Sequence, residues 1–373
     1  MILLSSIIDT FEADLLERYQ DSLLPSHRQA LAAMKQCRTT HSPVMLAECE
    51  GCASQVYVPH SCGHRSCPHC QQHESQQWLE RQLQKQVPAE YFLVTFTLPK
   101  ELRSLAWQQQ RTLYALMTRC SWETLKTFTQ NDPQLKGNAG AITVLHTHSR
   151  RLDYHPHVHV VMPAAAIDTK QRLWRTKAGK RKGKGNNQNQ SGTGYLFNHK
   201  ALAKVFRAKL LEAIREESLA LPDRYPENWV VDVKSVGSGD KALVYLGRYL
   251  YKGVIQEKDI IACRDGQVTF RFQDSKTKTL QTRTRPGAQF LWLILQYVLS
   301  KGFWRARNFG FLHPNSKRML ALLQYLLGRH PVKTLAGLRN RPAILCPCCG
   351  SAMRIVKTRM SSSFASGMPA PSG

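Results

Sequence analysis

The sequence predicts an α+β protein with a cysteine-rich N-terminal module and a helical C-terminal region. Three observations carry this reading. Apolar runs rich in β-branched and aromatic residues at Tyr91–Leu98, Gly140–His148 and His157–Pro163 have the length and composition of strands. Around them lie longer stretches whose apolar residues recur at helical spacing. Residues 37–73 instead hold six cysteines and five histidines among turn formers.

In chain order, residues 1–36 read as helix broken at Pro25, with Leu15, Leu16, Tyr19 and Leu23 on one face. After the cysteine module a helix is expected over Ser75–Gln86, closed by Pro88, and then the buried strand Tyr91–Leu98. Leu105–Thr127 reads as a helix. The strands Gly140–His148 and His157–Pro163, joined by the polar turn Ser149–Tyr154, form an antiparallel pair. Lys170–Lys184 carries eight basic residues and no acidic one before a Gly/Asn/Gln-rich run, and so reads as a flexible insertion. A helix over Asn198–Ser218, a strand over Trp229–Val236 and the turn Gly237–Gly239 follow. Asp240 then caps a helix over Lys241–Gly253, because a short carboxylate can accept its free N–H groups. Gln267–Gln273 alternates as a strand does, and Gln289–Gly328 reads as helical and aromatic-rich. The tail from Ser361 has the Ser/Pro/Gly composition of a disordered end.

Charge bounds the partner. The 373 residues contain 52 Lys+Arg against 26 Asp+Glu, a formal net charge of +26. Nucleic acid is the leading partner, since each Lys or Arg set on a phosphate releases a condensed counterion. A membrane surface is the alternative, but neither end offers a basic amphipathic helix. No stretch reaches the roughly 18 apolar residues of a membrane span. Met1–Ile8 lacks the basic start and cleavage site of a signal peptide, so the expected location is the cytoplasm.

The eleven cysteines, several at CxxC spacing, point to metal and a reducing compartment. Cys49-Glu-Gly-Cys52 and Cys67-Pro-His-Cys70 are two knuckles 14 residues apart, and two knuckles complete the tetrahedral shell of a structural Zn2+. Cys37, Cys62, His64 and His69 lie close enough in sequence to substitute. Cys346 and Cys349 form one further knuckle, half of a second zinc site that Cys263, Cys348 or a histidine would have to help complete.

His155-Pro-His157-Val-His159 is the most informative segment. Residues two apart on a strand share a face, so His157 and His159 can hold one divalent cation and leave positions open for substrate oxygens. His146 on the neighbouring strand is the candidate third ligand, with His155 as competitor. Tyr245 and Tyr249 stand at i and i+4 on the later helix and share a face, with Tyr251 rotated away. A tyrosine hydroxyl can attack a phosphodiester if a cation withdraws charge from the phosphate, and Arg248 and Lys252 could add to that stabilisation.

These residues resemble the two-tyrosine HUH transposases of rolling-circle insertion sequences, relatives of the helitrons. The resemblance rests on His157-Val-His159, on Tyr245 and Tyr249, and on the cysteine module. It extends to Ser61-Cys-Gly-His-Arg-Ser-Cys-Pro-His-Cys70, Phe92-Leu-Val-Thr-Phe-Thr-Leu-Pro99, Leu202-Ala-Lys-Val-Phe-Arg207 and Lys301-Gly-Phe-Trp-Arg-Ala-Arg-Asn-Phe-Gly310, in family order over roughly residues 37–350. It implies an HUH endonuclease fold, a central antiparallel sheet flanked by helices. It further implies Mg2+ or Mn2+ on His157 and His159, and attack by Tyr245 or Tyr249 on single-stranded DNA at element ends to give a 5′-phosphotyrosine. Which tyrosine attacks first stays open. Lys180, Arg181 and Lys182 of the basic insertion would contact DNA, or the insertion is a solvated loop.

The expected segments are residues 1–90 for the zinc-binding, DNA-contacting part, 91–280 for the catalytic part, 281–335 for a helical part and 336–373 for the CxxC tail. Replication initiators and relaxases share the same chemistry and are the nearest alternative reading. A non-catalytic zinc-containing DNA-binding regulator is a different class, against which the presence of both histidines and both tyrosines counts. A zinc hydrolase ranks last, because no carboxylate flanks the His157–His159 pair as a general base. Oligomeric state is not written in these patterns.

Overall fold

The computed structural model describes residues 2–39, 41–67, 72–177, 196–251, 255–274, 277–329 and 343–361. Helix α1 (Leu4–Tyr19) leads to α2 (Pro25–Gln36), whose first residue is a proline set where the missing N–H costs nothing. Strands β1 (Val44–Cys49) and β2 (Gln55–Pro59) cross the cysteine module, and α3 (Gln72–Leu83) follows. Then come β3 (Tyr91–Thr97), α4 (Arg103–Gln108), α5 (Gln110–Asn131), β4 (Asn138–His148) and β5 (Tyr154–Pro163). A small hairpin, β6 (Ala165–Asp168) and β7 (Leu173–Thr176), leads into the basic insertion, whose first residues supply its turn and its second strand. Next are α6 (His199–Glu216), β8 (Val231–Ser235) and α7 (Asp240–Tyr251). The last third holds β9 (Ile260–Arg264), β10 (Gln267–Gln273), β11 (Leu280–Pro286) and α8 (Gly287–Leu295). It ends with β12 (Ala306–Gly310), α9 (Lys317–Leu326), β13 (Ile344–Leu345) and β14 (Ala352–Met360).

These elements form two compact units, neither continuous in sequence. One gathers Met1–Ser75, Tyr251–Val298 and Gly337–Gly373; the other gathers Gln76–Leu250 and Leu299–Ala336. Strand pairing ignores sequence distance, and β14 pairs with β1.

The second unit is built on a sheet in the order β7-β6-β4-β5-β3-β8, with β12 also paired to β4. Its pairings are antiparallel. On one face Phe92, Val94 and Phe96 of β3 and Val158, Val160 and Met162 of β5 are fully buried together with Leu113 and Met117 of α5 and Phe206 and Leu210 of α6. The rings of Phe96 and Phe206 approach to 4.8 Å between centroids. Side chains this completely buried stabilise by about 1.5–3 kcal/mol each. The period of two then sends His157 and His159 to the opposite face.

Within the C-terminal stretch expected to be helical throughout, Ala306–Gly310 is instead a strand, paired with Gly140–Val144. The free edge of β4 supplies hydrogen bonds that Ala-Arg-Asn-Phe-Gly, lacking helical periodicity, could not make better alone. Gly310 is required at its end: φ is +59°, and a Cβ there would lie 1.7 Å from the Ala139 carbonyl oxygen.

In the first unit α1 packs along α8, with the Tyr19 and Trp292 rings stacked 4.8 Å apart. The strands β9, β10 and β11 form an antiparallel sheet. A second sheet runs β13-β14-β1-β2, its apolar centre made of Ala47, Cys49, Cys346 and Met353. No helix among the described residues is long and apolar enough to cross a membrane.

Candidate active site

Register assembles the histidines. In the β4–β5 ladder His146 stands opposite His157 and Val144 opposite His159. In the β3–β5 ladder Thr95 stands opposite His159 and Thr97 opposite His157. One ring nitrogen from each of His146, His157 and His159 falls within 4.8 Å of the others.

The hydrogen bonds define which nitrogens these are. The His157 Nδ1–H donates to the His155 carbonyl at 2.7 Å, and His159 Nδ1 bonds the Thr95 hydroxyl at 2.8 Å. Both rings are thereby anchored through Nδ1, leaving Nε2 as the free lone pair. His146 Nε2 is buried with no hydrogen-bond partner among the described residues. An unpaired buried nitrogen beside two others is costly unless a cation completes it. The donor set fits a divalent metal.

All three imidazoles are held neutral, as ligation requires. Burial pushes His157 down to about 4, with the nearby His155 and Arg103 adding to it against the His155 hydrogen bond. Burial lowers His146 well below its ordinary range, helped by His159, His157 and Arg305. Burial lowers His159 likewise, helped by His157 and Lys234. The cations named here make the surroundings electropositive, suited to a phosphodiester.

Helix α7 brings the tyrosines to this face. Its first turn is anchored where Asp240 accepts from Gln86 Nε2 at 2.6 Å and from the Ser238 hydroxyl at 2.7 Å. Leu243 and Leu246 are fully buried, which turns the opposite side of the helix toward the histidines. The Tyr249 ring stacks on His146 with centroids 3.4 Å apart, and its hydroxyl donates to the His148 carbonyl at 3.0 Å. The Tyr245 centroid lies 6.1 Å from those of both His146 and His159, and 39% of the residue is exposed. No hydrogen bond engages Tyr245 among the described residues.

The cysteines assemble differently from the expected quartet. Cys49 Sγ lies 3.4 Å from Cys349 Sγ, and Cys52 Sγ lies 3.6 Å from Cys346 Sγ. Cys67 belongs with Cys37 and Cys62, its Sγ 3.6 Å from that of Cys37. The cause is the β1–β14 ladder, which carries the C-terminal knuckle back to the first one. Cys70 lies outside the described residues.

Residues 7–98 match the family described as "Transposase zinc-binding domain", and residues 140–319 match that described as "Putative transposase". The protein named "Putative transposase y4qJ" from Sinorhizobium fredii is 28% identical over 347 residues, which cover 85% of this chain and 84% of that one. The "Transposase for insertion sequence element IS801" of Pseudomonas savastanoi pv. phaseolicola is 26% identical, over 76% of this chain and 70% of its own. Over both matched stretches the chain is similar to transposases of the IS91/IS801 type. Among solved structures, the conjugative relaxase TrwC in complex with oriT DNA aligns over 64% of this chain and 72% of its own at 13% identity; its TM-score of 0.25 is too low to weigh on fold or function.

The structure places His146 with His157 and His159, while His155 stays outside the cluster, its Nδ1 taken by Arg103 at 2.6 Å. Tyr251 ends α7. Lys180, Arg181, Lys182 and Lys252 lie outside the described residues, as does the side chain of Arg248. Thr95, which sequence reasoning passed over, is a polar residue that, with Thr97, breaks the apolar run of β3. That interruption was the available signal.

Proposed function

We propose that this transposase nicks and rejoins single-stranded DNA at element ends through phosphotyrosine links to Tyr245 and Tyr249. The observation that carries the reading is the stacking of Tyr249 on His146 within a cluster of three neutral histidines, with Tyr245 one helical turn away. His146, His157 and His159 would hold Mg2+ or Mn2+ through Nε2. When bound, the ion would withdraw charge from the scissile phosphate.

The protein's own residues do the rest. The tyrosine oxygen attacks phosphorus, the bond from phosphorus to the 3′-oxygen breaks, and that oxygen leaves with a proton as a free 3′-OH. The DNA stays attached through its 5′-phosphate, conserving the bond for a later attack by a 3′-OH that releases the tyrosine. Neutral histidines in an electropositive setting suit the accumulating charge on the phosphate. Tyr245, half-exposed and unengaged, is the first nucleophile. Tyr249 acts second, once its hydroxyl leaves the His148 carbonyl.

Incubation with single-stranded DNA of the element's terminal sequence and Mn2+, followed by denaturation, reads the adduct directly. Tyr245→Phe should abolish the first adduct and Tyr249→Phe should retain it while blocking the joined product. Full nicking by the double phenylalanine variant would end the mechanism, and adduct lost with Tyr249 alone would reverse the order.

A further inference from the structure

Outside the histidine site, the largest group of potential metal ligands among the described residues lies where two distant parts of the first unit meet. We propose that Cys49, Cys52, Cys346 and Cys349 bind one zinc ion as four thiolates, and that this ion clasps the C-terminal β13–β14 hairpin to the N-terminal β1–β2 hairpin. Two of these ligands lie beyond both stretches that match known families, which end at residues 98 and 319.

The geometry is that of a tetrahedral shell. Zinc–sulfur bonds of about 2.3 Å place tetrahedral sulfurs about 3.8 Å apart. The pairs Cys49–Cys349 and Cys52–Cys346 stand at 3.4 and 3.6 Å, and all four sulfurs fall within 4.8 Å of one another. These distances far exceed the roughly 2.05 Å of a disulfide, and the cysteines are free thiols. Each knuckle is shaped to present sulfur. The Gly51 and Cys52 N–H groups point at Cys49 Sγ at 3.3 and 3.4 Å, and the Cys348 N–H points at Cys346 Sγ at 3.4 Å. Gly350, at φ +73°, turns the second knuckle and donates its N–H to the Cys346 carbonyl at 2.9 Å. The Ser54 hydroxyl sits 3.1 Å from Cys346 Sγ and 3.3 Å from Cys52 Sγ, where it supports thiolate charge.

The sheet needs the ion. Its centre is Ala47, Cys49, Cys346 and Met353, with Val56, Val58 and Ile344 packed at the edge. Much of β14 is exposed, including Ile355 and Val356. So small an apolar cluster does not hold a four-stranded sheet across 300 residues of intervening chain, whereas a metal does. Cys37, Cys62 and Cys67 form a separate thiol group, so the clasp accounts for its own zinc equivalent and not for all the zinc the chain carries.

The test uses the full-length protein purified in zinc. Metal analysis of wild type against Cys346→Ser/Cys349→Ser should show the loss of one zinc equivalent, and Cobalt(II) in the remaining metal should lose the corresponding part of its thiolate charge-transfer absorption. Alkylation of wild type, read by mass spectrometry, guards against a variant that fails to fold. Cys49, Cys52, Cys346 and Cys349 should be protected together and become reactive together on chelation. Unchanged zinc content in the double variant, a disulfide between any two of the four, or free reactivity of Cys346 and Cys349 in the zinc-loaded protein would overturn the clasp.

Discussion

Thr95→Val probes how the histidine cluster is held. Thr95 lies directly across from His159 in the β3–β5 ladder, and its hydroxyl is 2.8 Å from His159 Nδ1. Valine keeps the branched shape and the strand preference but removes the oxygen. The Nδ1–H then has no acceptor, and the ring loses the contact that aims Nε2 at the cluster. Outer-shell hydrogen bonds of this kind are worth about 10–100-fold in metal affinity, or about 1.4–2.7 kcal/mol. Mn2+ binding, followed calorimetrically or by electron paramagnetic resonance, should weaken by that factor. Adduct formation should fall at limiting Mn2+ and recover when Mn2+ is raised, because the tyrosines are untouched. Unchanged Mn2+ affinity in a folded Thr95→Val protein would refute the argument that this hydrogen bond sets the ligand atom.

Three more outcomes follow from single residues. His146→Gln should remove most Mn2+ binding and perturb Tyr249 fluorescence, since that ring stacks on His146; retained binding would remove His146 from the ligand set. His27 is buried, accepts the Leu24 N–H through Nδ1, and is pushed by burial from its ordinary 6.5 down to about 4, partly offset by a Val298 backbone bond. Because the folded value is the lower one, its contribution to stability is present above 6.5 and is lost as pH falls toward 4, by about 2 kcal/mol at pH 5. Urea unfolding at pH 7 and 5 should show a smaller acid loss in His27→Gln than in wild type, and equal losses would discard the assignment. Gly310→Ala should lower stability by about 2–5 kcal/mol, read as a drop in melting temperature, because the new Cβ meets the Ala139 carbonyl and the backbone has positive φ.

Much of the framework was legible because it is local. The expected strand Tyr91–Leu98 is found at Tyr91–Thr97, the helix Asn198–Ser218 at His199–Glu216, and the antiparallel pair at Asn138–His148 and Tyr154–Pro163. Some features were hidden for equally physical reasons. Leu105–Thr127 is two helices because the chain bends at Gln109, whose φ and ψ of −118° and 44° are not helical. The first residues of the basic insertion form a strand, β7, because they pair with β6, which itself finds a partner in the start of β4.

The sequence by itself determined which side chains share a face. A period of two puts His157 beside His159, and a period near 3.6 puts Tyr245 beside Tyr249, and both follow from backbone geometry alone. Only the tertiary structure decided what those faces meet. The β4–β5 register set His146 opposite His157, the β3–β5 register set Thr95 against His159, and the β1–β14 ladder gave Cys49 and Cys52 to Cys346 and Cys349 rather than to Cys67. Local periodicity carries no record of such partners. They are selected by hydrogen-bond pairing and burial between segments whose distance along the chain leaves no mark on either one.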